Sequence, residues 1–183
     1  MKPVIGLDRD GTINVDKGYI KSPADFQPIS GSLDAIKRLR EHGYDVVILS
    51  NQHGITENII TPADVDIVNN EMLLQLGQVG CESINALYYS TSNLKNDYYA
   101  KPNIGMFERA EKEIGVDFKR GYFVGDKISD LKAAVNAKAR PVLVLTGHGK
   151  ETEEKLNSYA NKELKKKTQI FNNLQDFVDT LVN

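Results

Sequence analysis

Short apolar segments alternate with helix-like segments along the chain, and this alternation restricts the fold more than any other feature. The strand-like segments are Val4–Leu7, Asp45–Leu49, Ala86–Tyr89, Gly121–Val124 and Pro141–Leu145. The segments with helical spacing or helix-end signals are Ser32–His42, Thr61–Leu76, Gly105–Ile114, Ser129–Ala137 and Ile170–Leu181. Strands that are apolar on both faces need cover on both sides. The pattern therefore predicts an α/β three-layer sandwich with a mostly parallel central sheet and helices on both faces.

Length and composition limit the kinds of protein that this chain can be. A chain of 183 residues can build one well-buried core but hardly two, so residues 1–183 are predicted to form a single domain. The net charge of −2 gives no general affinity for nucleic acid or anionic lipid. No apolar run is long enough to cross a bilayer, and the first residues lack a signal-peptide layout. We expect a cytoplasmic protein without nucleic-acid or membrane partners, as a monomer or weak homo-oligomer.

Polar residues follow three of the predicted strands directly. Asp8 and Asp10 follow the first strand, Ser50 follows the second, and Asp126 follows the fourth. Parallel strands place their carboxyl ends at one edge of the sheet, and ligands of open sheets bind outside those ends. These side chains are therefore predicted to meet at one site although they lie far apart in sequence.

The paired carboxylates of Asp8 and Asp10 are the first candidates for chemistry. Two carboxylates held close together repel, so either one of them holds a proton or a divalent cation joins them. Asp126 and Asp130, one helical turn apart, add carboxylates suited to a hard cation such as Mg²⁺. Two structural alternatives remain open. The first pair could form a surface turn, and Asp126 could cap a helix while Asp130 is exposed.

Ser50 and Lys101 are candidates for binding phosphate. A hydroxyl and backbone amides at the end of a strand can bind phosphate oxygens, and a lysine placed just before a helix can reach the same group. Each residue also has an ordinary alternative, which is local capping for Ser50 and a solvated side chain for Lys101.

Together, these elements resemble the motif set of the haloacid dehalogenase (HAD) superfamily. They occur in that family's order, as Asp8-Arg9-Asp10-Gly11-Thr12, Ser50, Lys101, and Gly125-Asp126 with Asp130. The longer matches resemble the histidinol-phosphate and heptose-bisphosphate phosphatases within it. They are Asp8–Asn14 with Asp16 and Gly18-Tyr19, Ser50–Gln52 with Gly54-Ile55, Lys101-Pro102, Val124–Lys127 and Val144–Gly149. The resemblance implies a HAD-like Rossmannoid fold without a large cap domain, and a magnesium-dependent phosphatase.

The resemblance also implies a role for each matching residue. Asp8 would be the nucleophile and Asp10 the general acid and base, while Ser50 and Lys101 would stabilise the transferring phosphoryl group. The implied Mg²⁺ ligands are Asp8, Asp126, Asp10 through its carbonyl, and the backbone of Lys127, with Asp130 as an outer orienting residue. The implied substrate-binding residues are Arg9, Asp16, Lys17, Gly18, Tyr19, Asn51, Gln52 and His53.

Two departures from the family pattern bear on cofactor and substrate. Typical bacterial members carry a Cys/His zinc loop before the lysine, whereas Tyr89–Tyr99 contains neither residue type, so no zinc is expected. Cys81 is the chain's single cysteine. Heptose-specific members place an arginine directly before the lysine, and Ala100 stands here. Lys95 or Lys127 could replace the lost positive charge.

These observations predict hydrolysis of a phosphorylated small metabolite, with D-glycero-D-manno-heptose 1,7-bisphosphate ahead of histidinol phosphate. An alternative of another class is a phospho-acceptor signalling domain, which also uses Mg²⁺ and acidic residues on a parallel sheet. Such domains carry the acceptor aspartate on a middle strand, whereas the second strand here ends in Ser50.

Overall fold

The computed structural model describes residues 3–92 and 97–182. Within these ranges it has a single sheet of six strands, all pairing in parallel, in the order β3-β2-β1-β4-β5-β6. The strands are β1 (Val4–Leu7), β2 (Asp45–Asn51), β3 (Ala86–Ser90), β4 (Tyr122–Gly125), β5 (Arg140–Val144) and β6 (Gln169–Phe171). The α-helices are α1 (Ser32–Glu41), α2 (Pro62–Gln78), α3 (Gly105–Ile114), α4 (Ile128–Asn136), α5 (Gly149–Leu156), α6 (Lys162–Lys167) and α7 (Leu174–Val182).

Helices cover both faces of the sheet because alternate strand residues point to opposite sides. On one face, Ile5 and Leu7 of β1 belong to a buried cluster with side chains of α1, α2 and α7. On the other face, Val4 of β1 and Phe123 of β4 pack with side chains of α3 and α4. A smaller cluster joins α4, β5 and α5 beside the second of these clusters. The predicted three-layer sandwich is confirmed, with a sheet that is parallel throughout its described strands.

Local sequence signals place several of the helix ends. Thr61 caps α2, where its side chain accepts a hydrogen bond from the backbone N–H of Asp64 at 3.2 Å. Pro62 occupies the first turn of the helix, where it forfeits no hydrogen bond. Gly115 ends α3 with a φ of 72°, a left-handed conformation that a side chain disfavours. These signals explain why the predicted starts and ends of α2 and α3 lie close to the observed ones.

The C-terminal quarter of the chain differs from the sequence prediction. The segment Ile170–Leu181 was expected to hold the last helix, and α7 does begin within it at Leu174, but the unpredicted strand β6 occupies Gln169–Phe171. Val142, Leu143 and Val144 pair with the three residues of β6, so tertiary pairing decides the conformation of this short segment. The alternation pattern did not predict α5 and α6. The lysines of α6 at 165–167 are exposed, as expected for a solvated helix end.

Within the described ranges, no helix combines the length and the apolar character that crossing a bilayer requires.

Candidate active site

The carboxyl ends of β1 and β4 bring three of the predicted acidic residues together. Asp8 follows β1, and its backbone N–H donates to the carbonyl of Val124 on β4 at 2.9 Å. Asp126 follows β4, and Asp130 lies in the first turn of α4. Carboxylate oxygens of Asp8, Asp126 and Asp130 all lie within 4.8 Å of one another, and all three residues are buried.

Lys101 is buried among these carboxylates. Its Nζ donates to Asp8 Oδ1 at 2.8 Å and to the carbonyl of Leu49 on β2 at the same distance. It also lies 2.8 Å from Asp130 Oδ1. Burial disfavours the ammonium form, but the negative charges of Asp130 and Asp8 outweigh it and raise the pKa of Lys101. Lys101 therefore stays positively charged next to Asp8.

Asp130 is buried beside Lys101 at the start of α4. Its Oδ2 accepts the backbone N–H of Lys127 at 3.0 Å, and its side chain is 1% exposed. A Cβ on Gly125 would lie 2.4 Å from the Cβ of Asp130, so glycine is required where β4 turns into α4. The alternative of an exposed Asp130 is not what the structure shows. The alternative in which Asp126 caps α4 is not observed either, because the N-cap residue is Lys127 and Asp126 Oδ2 accepts the N–H of His148.

Asp126 lies in a cradle built by two glycines and a backbone amide. The backbone N–H of His148 donates to Asp126 Oδ2 at 2.8 Å. A Cβ added to Gly11 or to Gly147 would lie 2.1 Å or 2.3 Å from that same oxygen. Thr146 Oγ1 donates to the carbonyl of Gly11 at 2.6 Å, which ties the loop after β5 to the loop after β1.

The electrostatics of this centre favour a bound cation. Burial raises the pKa of Asp8 to about 6, against the pull of Lys101. Burial, together with the charges of Asp8 and Asp130, raises the pKa of Asp126 to about 8. Asp126 Oδ1 is buried and has no hydrogen-bond partner among the described residues. An oxygen left without a donor beside further carboxylates is a suitable ligand for a hard divalent ion.

Asp10 is held by side-chain donors. Asn14 Nδ2 donates to Asp10 Oδ1 at 2.9 Å, and Gln52 Nε2 donates to Asp10 Oδ2 at 2.7 Å. Gln52 Nε2 also donates to Ser50 Oγ at 2.8 Å, so one amide joins the predicted acid to the predicted phosphate ligand. The guanidinium of Arg9 contacts both Asp10 oxygens.

The side chains of Arg9 and Asn51 make hydrogen bonds within the protein. Arg9 is 1% exposed, and its Nη1 donates to Asn69 Oδ1 on α2 at 2.8 Å. The side-chain amide of Asn51 bonds both the N–H and the carbonyl of Lys101, each at 3.0 Å. Asn51 therefore holds the backbone of Lys101 in place. Substrate contact by Arg9 and Asn51 stays a prediction.

The other residues predicted to bind substrate belong to the segments that follow β1 and β2. Asp16 Oδ2 accepts from Lys127 Nζ at 2.9 Å, and its Oδ1 accepts the N–H of Gly18. Tyr19 packs edge-on against His53, with ring centroids 5.5 Å apart. Lys17 is exposed, and its Nζ reaches the carbonyl of Asp25. Burial opposes the charge of Lys127, but Asp8 and Asp126 raise its pKa overall.

The position of the family arginine carries no charge here. Ala100 is 4% exposed and lies directly before Lys101. Lys95, the other residue named as a compensating charge, lies outside the described residues. The second candidate for a compensating charge, Lys127, lies beside the acidic group.

Two further contributors were not identified from the sequence. Asn69 interrupts an apolar stripe on α2 formed by Val65, Val68, Met72 and Leu76. A polar residue in such a stripe is a usable signal, because a buried amide needs a partner. His148 donates its backbone N–H to Asp126. Almost any residue type could make this contact, so the sequence does not reveal it.

Comparison with known proteins places the chain in a family. A HAD-hydrolase-like family model matches residues 98–177. A D-glycero-β-D-manno-heptose-1,7-bisphosphate 7-phosphatase of Neisseria meningitidis serogroup A is 35% identical over 97% of this chain and 92% of its own length. The chain belongs to this family of HAD-like phosphatases. The resemblance inferred from the motifs is thereby confirmed.

Further members of the heptose-bisphosphate phosphatase family agree in sequence and fold. A 7-phosphatase of the same description from Photorhabdus laumondii is 34% identical over 82% of this chain and 85% of its own length. The crystal structure of D,D-heptose 1,7-bisphosphate phosphatase from B. bronchiseptica, complexed with magnesium and phosphate, superimposes with a TM-score of 0.87. It is 30% identical and covers 99% of this chain and 98% of its own. The Burkholderia thailandensis enzyme gives a TM-score of 0.73 at 30% identity, covering 100% of both chains.

Proposed function

We propose that this protein hydrolyses the 7-phosphate of D-glycero-β-D-manno-heptose 1,7-bisphosphate through an aspartyl phosphate on Asp8. The observation that carries the proposal is the contact of Asp8 with Lys101, in a buried group whose other carboxylates are those of Asp126 and Asp130. Family membership supports the choice of a phosphorylated sugar over a protein partner.

In the first step, Asp8 acts as the nucleophile. Lys101 holds Asp8 Oδ1, and we assign Oδ2 to the in-line attack on phosphorus. The new Asp8–phosphorus bond replaces the bond between phosphorus and the sugar oxygen. Asp10 gives its proton to the departing sugar alkoxide, which leaves as the alcohol. The Ser50 hydroxyl and Lys101 counter the negative charge on the phosphoryl oxygens.

In the second step, water removes the phosphoryl group from Asp8. Asp10, now a carboxylate, takes a proton from the attacking water. The oxygen of water bonds phosphorus as the bond to Asp8 breaks, which releases inorganic phosphate and restores the Asp8 carboxylate. Asn14 and Gln52, which hold the two oxygens of Asp10, keep the same carboxyl group in place for both steps.

The residues present fit a magnesium ion. Asp8, Asp126 with its unpartnered Oδ1, and the carbonyl of Asp10 would hold it, with the backbone of Lys127 beside it. Such an ion would neutralise charge on the phosphate oxygens and reduce their repulsion with the carboxylates. We further propose that no zinc takes part, because Tyr89–Tyr99 contains no Cys or His.

The second phosphate of the proposed substrate needs positive charge at the rim. A cavity of about 570 Å³ opens beside Lys127, His148 and Lys155. Lys127 Nζ lies 2.9 Å from Asp16 Oδ2, so it connects a residue predicted to bind substrate with the acidic group. The two lysines support a site for the distal phosphate in place of the arginine that Ala100 replaces.

Phosphate release tests the proposal. Purified protein with magnesium should turn over heptose 1,7-bisphosphate many times and prefer it to heptose 1-phosphate and to histidinol phosphate. Faster release from histidinol phosphate would assign the other phosphatase activity. Phosphorylation that stops after one equivalent would instead indicate a phospho-acceptor domain.

A further inference from the structure

We propose that Arg9 and Asn69 are positioning residues that hold Asp10 in its proton-transfer orientation, so that helix α2 supports the general acid. This inference rests on the proposed function, because it assigns a role within the same reaction. It concerns two buried side chains, of which Arg9 contacts Asp10 and Asn69 contacts Arg9.

The first step of the argument is the contact between Arg9 and Asp10. Arg9 Nη2 donates to Asp10 Oδ2 at 2.9 Å and to Oδ1 at 3.2 Å, while Nε lies 3.3 Å from Oδ1. A planar guanidinium that meets both oxygens fixes the plane of the carboxylate as well as its position. Arg9 is 1% exposed, so its charge is committed to this interior pair.

The second step is the anchor of Arg9 itself. Its Nη1 donates to Asn69 Oδ1 at 2.8 Å in a buried contact that spans α2 and the loop after β1. Asn69 is 6% exposed and lies on the apolar face of α2 beside Val65 and Met72. A buried amide there is unfavourable unless it is hydrogen-bonded. The described contact that satisfies its oxygen is the one that orients Arg9.

The third step is the sensitivity of proton transfer to geometry. A general acid must lie within hydrogen-bonding distance of the leaving oxygen, and small displacements lower the rate steeply. Asn14 and Gln52 hold Asp10 from its other sides. Arg9 completes this set of donors, and Asn69 keeps Arg9 from rotating away.

The test uses two leaving groups and a matched control on the same helix. Asn69→Leu removes the acceptor for Arg9, whereas Asn70→Leu makes the same change at the next, exposed residue. For Asn69→Leu we expect kcat on heptose 1,7-bisphosphate to fall about tenfold, because its alkoxide needs protonation. The fall on 4-nitrophenyl phosphate should be under about threefold, because its phenolate leaves without help. KM for both substrates should stay near that of the wild type, and Asn70→Leu should match the wild type throughout.

Two further variants separate positioning from general damage to the fold. Asn69→Asp keeps an acceptor oxygen and should restore the alkyl-to-aryl rate ratio. In the Asp10→Asn background, Asn69→Leu should add no further loss, because both changes act through one carboxyl group. If Asn69→Leu fails to fold, Arg9→Lys gives the same readout, since a lysine is unable to hold both oxygens and Asn69 together.

The outcomes distinguish this inference from the proposed function. Equal losses on both substrates, or a further loss in the Asp10→Asn background, would overturn the positioning role while leaving the phosphatase intact. A wild-type protein that releases phosphate from neither substrate would overturn both proposals.

Discussion

Among single residues, Lys101 and Asp8 form the pair on which the proposed reaction depends. Lys101 lies 93 residues after Asp8, beyond two complete crossovers, yet its Nζ contacts Asp8, Asp130 and the carbonyl of Leu49. A buried charge with three such partners has little freedom to move. Lys101 therefore supplies fixed positive charge beside the attacking oxygen.

The proposed nucleophile gives the most direct prediction at this scale. Asp8→Asn replaces one carboxylate oxygen at nearly constant volume, so the fold should survive while kcat falls about 10⁴-fold or more. Phosphate release and thermal unfolding of the same sample measure the two effects. An Asp8→Asn protein with near wild-type turnover would remove Asp8 from the mechanism.

The proposed general acid gives a prediction that depends on the leaving group. Asp10→Asn is unable to protonate an alkoxide, so kcat on heptose 1,7-bisphosphate should fall about 100-fold or more. On 4-nitrophenyl phosphate the loss should be about tenfold or less. Steady-state rates on the two substrates provide the measurement, and Asp34→Asn, the same change at an exposed residue of α1, serves as a control. The same loss on both substrates would show that Asp10 has only a structural role.

At the scale of elements, the loop between β5 and α5 shapes the acidic group from outside. Gly147 has a φ of 53°, and a Cβ there would lie 2.3 Å from Asp126 Oδ2 and 2.5 Å from the Cα of Gly11. The next residue, His148, donates its N–H to the same carboxylate. This loop therefore sets the position of Asp126 without contributing a charged side chain to it.

Alanine at two glycines tests that role. Gly147→Ala should displace Asp126, weaken magnesium binding and lower the free energy of unfolding by about 1 kcal/mol or more. Gly77→Ala, on α2 where a Cβ meets nothing within 4 Å, should instead stabilise by about 0.5–1 kcal/mol. Magnesium titration and urea unfolding of both variants provide the comparison. Unchanged magnesium affinity in Gly147→Ala would contradict the role of the loop.

Some elements could be predicted from sequence for clear physical reasons. Both β1 and α3 occur at their predicted residues, because β1 is a wholly apolar run and Gly115 terminates α3. The placement of Asp8, Ser50 and Asp126 at one edge followed from the parallel sheet, since Asp8 and Asp126 directly follow strands and Ser50, predicted to follow β2, is its next-to-last residue. In contrast, β6 depends on pairing with β5, which no local pattern encodes. The link between Asn69 and Arg9 depends on how α2 packs, so it required the structure.

For the whole molecule, burial of acidic groups connects stability to pH. The pKa of Asp8 is raised to about 6 and that of Asp126 to about 8, each from an ordinary value of 3.8. Between pH 3.8 and each raised pKa, the folded state keeps a proton that the unfolded state has released. The stabilising contribution is therefore complete below the unfolded pKa and is lost as the pH rises through the folded pKa values.

This linkage predicts that the stability of the metal-free protein falls as the pH rises, while the stabilisation by added magnesium grows. In chelator, the free energy of unfolding should fall between about pH 5 and about pH 8. Added magnesium should stabilise most at the higher pH, because it binds the ionised carboxylates. Urea unfolding across this range measures both trends, and Asp126→Asn should flatten them. A metal-free protein that becomes more stable as the pH rises would contradict the assignment.

The position of β1 in the sheet has a consequence for how the protein is made. Of the six described strands, β1 comes first along the chain, yet it lies between β2 and β4, with Leu7 paired to both Ile48 and Val124. On the ribosome, β1 can pair with β2 soon after synthesis, but its other edge must wait until β4 has emerged. A nascent chain that stops short of β4 has Asp8 without Asp126, and an exposed strand edge that invites aggregation. The acidic group can therefore form only after β4 has emerged.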